Sequence, residues 1–126
     1  MAAAAYRPAL RIGIIGAARV ADYAMIVPAR EVDGCEVVAI ASRDSERARA
    51  FADRHGLARA HASYDALITD PDVDLVYLAT PPVAHAPIAL AAVRTGKPVL
   101  VEKPFAMSGD APERVFQPAH EHRVPV

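Results

Sequence analysis

Short β-branched runs alternate with helical patterns along the whole chain. Leu10–Ile15 (LRIGII), Cys35–Ser42 (CEVVAIAS), Val73–Thr80 (VDLVYLAT) and Pro98–Lys103 (PVLVEK) read as strands. Runs apolar on both faces suit a parallel sheet covered on both sides. Pro98 opens the last run, where it does least harm, and Pro81-Pro82 stop the third. A weaker strand falls near Ala58–Ala62.

Between the strands lie helical segments with readable ends. A helix is expected to start near Ala17, after the first strand. Asp44 is placed to cap the next helix, and Gly56 stands just past its last turn. Ser63 opens a short one. Another follows the double proline and stops at Gly96, with Arg94 in its last turn. Asp110 and Glu113 make a capping-box-like start to the final helix, with Pro112 in its first turn. Pro118 falls in its middle, where proline costs about 3 kcal/mol unless a kink is accommodated. That helix is expected to be bent or frayed. Strand–helix alternation implies right-handed crossovers. The fold class is α/β, a Rossmann-like doubly wound parallel sheet over residues 10–126, after a disordered start at residues 1–9.

Composition narrows the picture. A chain of 126 residues with 53% hydrophobic residues suits one packed domain, not a disordered chain. The 14 basic and 15 acidic residues are interspersed, which argues against nucleic acid or an anionic membrane as main partner. Cys35 is expected to be a buried small hydrophobe in a reducing compartment. The apolar start MAAAAYRPALRIG lacks the basic n-region of a signal peptide, and no run is long enough to span a bilayer. The expected location is cytoplasmic.

Candidate chemistry begins at RIGIIGAARVAD. A dinucleotide-binding turn is usually G-x-G-x-x-G, placed between a strand and a helix. Here the register Gly16-x-Ala18-x-x-Ala21 keeps only the first glycine. Gly16 supplies the tight turn, Ala18 adds one methyl near the pyrophosphate, and alanine is commonly accepted in the third place. Phosphates would rest on helix N-terminal amides, aided by the helix dipole. At the end of the second strand, NAD sites place an acid on the ribose 2′-hydroxyl. This strand runs into Ser42-Arg43, a hydroxyl and a guanidinium suited to a 2′-phosphate. NADP is therefore favoured, with NAD as the alternative.

Two further positions face the same edge of the sheet. Glu102-Lys103-Pro104 ends the Pro98–Lys103 strand, and the Lys103 ammonium can stabilise alkoxide-like charge in hydride transfer. Its plain alternative is an ordinary Glu–Lys pair. His85, in TPPVAH, either lines a nicotinamide pocket or lies at the surface near a helix start. His55, His61, His120 and His122 read as solvent-facing.

In combination, GIIGAARVA, AIASRD, ATPPVAHAPIALAAVRTGKPVLVEKPFA and HRVPV resemble the Gfo/Idh/MocA family of NAD(P)-dependent oxidoreductases, from Arg11 onward. The TPP-x-x-H segment followed by EKP is far more specific than the glycine turn. The resemblance implies hydride transfer between nicotinamide and a hydroxyl or carbonyl of sugars, polyols, trans-dihydrodiols or biliverdin. It implies that Gly16, Ala18, Arg19 and Ala21 form the phosphate turn and that Ser42 and Arg43 grip the adenosine ribose. Thr80, Pro81, Pro82 and His85 would border the nicotinamide, and Glu102 and Lys103 its ribose and the substrate. Lys103 would be the catalytic lysine and Pro104 cis.

Enzymes of this family are more than twice as long, and their second, antiparallel domain forms the substrate pocket and the oligomer interface. It also supplies an Asp and a His for acid/base work. The present chain is expected to be a truncated cofactor half, inactive alone, taking a sugar-like or diol substrate only if that domain is supplied. The rivals are a non-catalytic dinucleotide-binding module and another Rossmann-like enzyme such as a methyltransferase. The missing acid at the second strand disfavours the last.

Overall fold

A computed structural model describes residues 9–102 and 111–126. Five strands, β1 (Leu10–Ile15), β2 (Cys35–Ala41), β3 (Arg59–His61), β4 (Leu75–Leu78) and β5 (Val99–Val101), form one sheet in the order β3-β2-β1-β4-β5. Every pairing is parallel. The order reverses between β1 and β4, which opens a crevice beyond their carboxyl ends. Lys103, Pro104 and Asp110 lie outside the described residues.

Period-two alternation along each strand feeds two cores. Val76 and Leu78 of β4 pack with Ile15, Ala89, Val93 and Val115 on one face. Tyr77 and Ala79 pack with Ile14, Ile26, Ile40 and Phe51 on the other. Each large aliphatic side chain so buried contributes roughly 1.5–3 kcal/mol.

The first helical region is more complex than expected. It starts at α1 (Arg19–Ala21), two residues after Ala17, because Ala18 is still extended with φ −99° and ψ 155°. It passes through a π-helical turn (Asp22–Ile26) into α2 (Val27–Glu31). The second region follows the expectation: Asp44 accepts from Glu46 N at 2.9 Å and Arg47 N at 3.4 Å to start α3 (Ser45–His55). Gly56, at φ 67°, ends it in the left-handed region. Ser63 caps α4 (Tyr64–Ile68) through Ala66 N at 3.1 Å. A 3₁₀ turn (Pro82–Ala84) leads into α5 (His85–Arg94).

The final helix, α6 (Ala111–His122), runs unbroken through Pro118 instead of fraying there. Burial of Val115 and Ala119 against the α5 side of the sheet offsets the hydrogen bond proline removes. Residues 123–126 form no strand, but Pro125 O accepts from Val99 N at 3.0 Å along the outer edge of β5.

Three expectations need correction. Cys35 is only half-buried, because the first residue of β2 lies at the sheet's rim. His55 is buried, its ring 4.5 Å from that of Phe51 one turn earlier. His61 is partly buried and pairs through Nε2 with Asp70 at 2.9 Å. His120 and His122 are exposed.

Asp70 also takes Arg59 at 2.7 Å, within a network that joins Arg59 to Asp72 and Arg11 to Asp72 and Asp74. Burial pushes the Asp70 carboxyl up. The Asp72 backbone amide, Arg59 and His61 outweigh it and hold the group down to about 2.

Candidate functional site

The crevice is built by three strand ends. After β1, Gly16 turns at φ 106°, and a Cβ there would meet the Ala79 carbonyl carbon and Thr80 N at 2.9 Å each. Only glycine fits so close to another backbone. The turn is bonded on both sides: Gly16 N donates to Ala41 O at 2.8 Å, and Ala79 N donates to Ile15 O at 2.8 Å. Beyond it, Ala21 N donates to Ala18 O at 3.1 Å, and Ala18 offers no side-chain cap, so the start of α1 presents the Arg19 and Val20 amides to an anion without a competing side chain. Ala21 is fully buried and serves helix–sheet packing instead of lining the crevice.

A cleft of about 360 Å³ opens here, lined by Gly16, Ala18, Ser42, Arg43, Thr80 and Pro81 among others. Its volume falls within the range of about 300–1,000 Å³ usual for ligand pockets. The structure thus gathers six of the expected positions from the ends of β1, β2 and β4. Arg47 and Tyr64 also line it, and sequence reading missed both. Arg47 stands in the first turn of α3, four residues after Arg43, and Nη2 reaches Ala17 O at 3.4 Å. A second arginine in the first turn after the Asp44 cap was a usable signal. Tyr64 arrives from α4 by tertiary convergence, which no local pattern announces.

Ser42 is buried, and its Oγ accepts from Asp44 N at 3.3 Å, so the hydroxyl is held at the cleft wall beside the exposed Arg43. Thr80 Oγ1 is buried with no hydrogen-bond partner among the described residues. A donor or acceptor from a bound ligand would satisfy it. The uncapped helix start, the orphaned hydroxyl, the glycine cradle and two guanidiniums together fit a phosphorylated dinucleotide.

The other expected residues stand nearby. Arg19 lines a neighbouring cleft of about 320 Å³ with Asp22, Tyr23, Arg54 and His55, and Ala17 and Ala18 border both clefts. His85 lies in the first turn of α5 but is not at the surface: it is 1% exposed. Its Nε2 lies 2.6 Å from Thr80 O. A carbonyl only accepts, so Nε2 donates and the ring fixes the Ala79–Pro81 corner. Pro82 begins the intervening 3₁₀ turn. Glu102 continues the β4–β5 ladder, with its N–H on Leu78 O at 3.1 Å, and its Oε2 accepts from Tyr77 Oη at 2.5 Å. Among the described residues, no group of three His, Cys, Asp or Glu is arranged to hold a metal, and no helix is long and apolar enough to cross a membrane.

Comparison with known proteins agrees with this architecture. The profile of the Gfo/Idh/MocA family, described as an oxidoreductase family with an NAD-binding Rossmann fold, matches residues 10–126. A 1,5-anhydro-D-fructose reductase of Ensifer adhaerens is 42% identical over 83% of this chain and 32% of its own length. A trans-1,2-dihydrobenzene-1,2-diol dehydrogenase of Xenopus tropicalis is 32% identical over 92% of the chain and 36% of its own length. Among solved structures, a 3-ketoreductase from Actinomadura kijaniata in complex with NADP and TDP-benzene superposes with a TM-score of 0.85 at 38% identity. That match covers 92% of this chain and 35% of the reductase. The chain spans about a third of the length of the relatives it matches. It belongs to the Gfo/Idh/MocA oxidoreductase family, in its NAD-binding Rossmann-fold portion.

Proposed function

We propose that this chain binds NADP(H) and forms the coenzyme half of an oxidoreductase acting on a sugar, polyol or dihydrodiol. The observation that carries the coenzyme preference is the end of β2: Ser42, Arg43 and Arg47 border the cleft where an NAD site would place an acid. Two guanidiniums and a hydroxyl complement a 2′-phosphate, and Tyr64 offers a ring for adenine. The pyrophosphate rests on the Gly16–Ala18 turn and the first amides of α1, with Arg19 alongside. The nicotinamide lies toward Thr80, Pro81, Pro82 and His85, with its ribose at Glu102. When bound, it supplies or accepts the hydride.

Lys103 is the catalytic residue in this reading. Its ammonium would hydrogen-bond the substrate oxygen and donate a proton to it as hydride arrives at carbon. A second reading is a coenzyme-binding module without turnover, for which the cleft at the strand ends is sufficient by itself.

The test is a fluorescence titration of NADPH, followed by an assay for NADPH oxidation with sugar or diol substrates. Binding supports the coenzyme site, and turnover separates enzyme from module. A folded chain that leaves NADPH unbound would refute both.

A further inference from the structure

We propose that Tyr77, a core residue of β4, is a positioning residue for the nicotinamide half of the site, acting through Glu102. This rests on the coenzyme reading above. Tyr77 is 2% exposed, among the most buried side chains of the sheet, and its ring packs among Ile14, Ile26 and Ile40. A phenol that deep would be replaceable by phenylalanine unless its hydroxyl had work to do. That hydroxyl donates to Glu102 Oε2 at 2.5 Å, a charge-assisted bond at the carboxyl end of β5.

The topology explains the meeting. Tyr77 pairs with Leu100 across the β4–β5 ladder, so Glu102, two residues on, projects from the same face one step closer to the crevice. The backbone of Glu102 is held by Leu78 O and its carboxylate by Tyr77. The side chain is therefore tied at both ends before any ligand arrives. Burial first, and then the neighbouring carboxylate, push the Tyr77 phenol above its ordinary value, so it stays a donor at any working pH. A carboxylate accepts about four hydrogen bonds, so capacity remains for the two ribose hydroxyls beside nicotinamide. Holding Glu102 in its bound rotamer removes the cost of ordering it on binding.

Two ligands separate this role from a general structural one. NADPH spans both halves of the site, whereas 2′,5′-ADP reaches only the Ser42–Arg43–Arg47 side. Tyr77→Phe should weaken NADPH about tenfold and leave 2′,5′-ADP within about twofold. Glu102→Gln should behave alike, and the double variant should lose far less than the product of the two single losses. Unchanged NADPH affinity in Tyr77→Phe, equal loss of both ligands, or independent effects of the two substitutions would overturn the proposal. If the wild-type chain takes 2′,5′-ADP but Glu102→Gln leaves NADPH unaffected, Glu102 has no part in binding and the inference falls while the coenzyme reading stands. If the wild-type chain takes neither ligand, the coenzyme reading itself falls.

Discussion

A Cβ on Gly16 would sit 2.9 Å from the carbonyl carbon of Ala79, so the first loop and the end of β4 touch backbone to backbone. That contact answers why only the first glycine of the usual three is kept. At Gly16 a methyl group collides and the positive φ strains it, whereas Ala18 is extended at φ −99° and Ala21 turns into packed core. Gly16→Ala should therefore cost about 2–4 kcal/mol in stability and weaken NADPH binding beyond detection. Chemical denaturation and titration check the two effects. A variant as stable and as tightly binding as the parent would refute the close approach.

The guanidiniums of Arg43 and Arg47 should discriminate coenzymes. Removing either by substitution to alanine should weaken NADPH about tenfold or more and NADH by less than about threefold. Ser42→Asp combined with Arg43→Ala should reverse the preference toward NADH, since a carboxylate repels the 2′-phosphate and accepts from a 2′-hydroxyl. Competition titrations of both coenzymes read this directly.

Lys103→Ala should leave NADPH affinity within about twofold and abolish whatever turnover the parent shows. Equal loss of binding and turnover would argue that the lysine only anchors coenzyme.

Asp70 gives the fold an acid-sensitive clamp. Its carboxyl drops from an ordinary 3.8 to about 2 in the folded chain, so it binds protons less readily folded than unfolded. Its stabilisation is complete above the ordinary value and fades as pH falls from about 4 through about 2. The contribution is on the order of 1–2 kcal/mol, because Arg59 is partly exposed and solvent screens the pair. Asp70→Asn should lower neutral-pH stability and flatten the acid limb of the stability profile. An acid limb identical to the parent's would contradict the assignment.

Pro118→Ala should raise stability by about 1–3 kcal/mol, because it restores a hydrogen bond inside a helix that already continues through this position. A drop in melting temperature would show that the proline ring's packing outweighs the lost bond.

Local signals predicted much of this architecture. Asp44, Gly56 and Ser63 act as caps where their side chains or backbone freedom demand, and the β-branched runs become strands because both faces find cover. The crevice followed from strand order and the motif between β1 and α1. What escaped was set by distance in sequence. Tyr64 enters the cleft from α4, His61 finds Asp70, and His55, already one turn from Phe51, is covered only once α3 docks on the sheet. The π-helical turn at Asp22–Ile26 has no compositional mark. Tyr77 read simply as an apolar strand residue, because its hydroxyl acquires meaning only when β4 and β5 align.

The most direct measurement is isothermal titration of NADPH into the folded chain. One site per chain is expected, tighter for NADPH than for NADH and lost in Gly16→Ala. No heat at millimolar NADPH, with circular dichroism still reporting a folded α/β chain, would contradict the central claim.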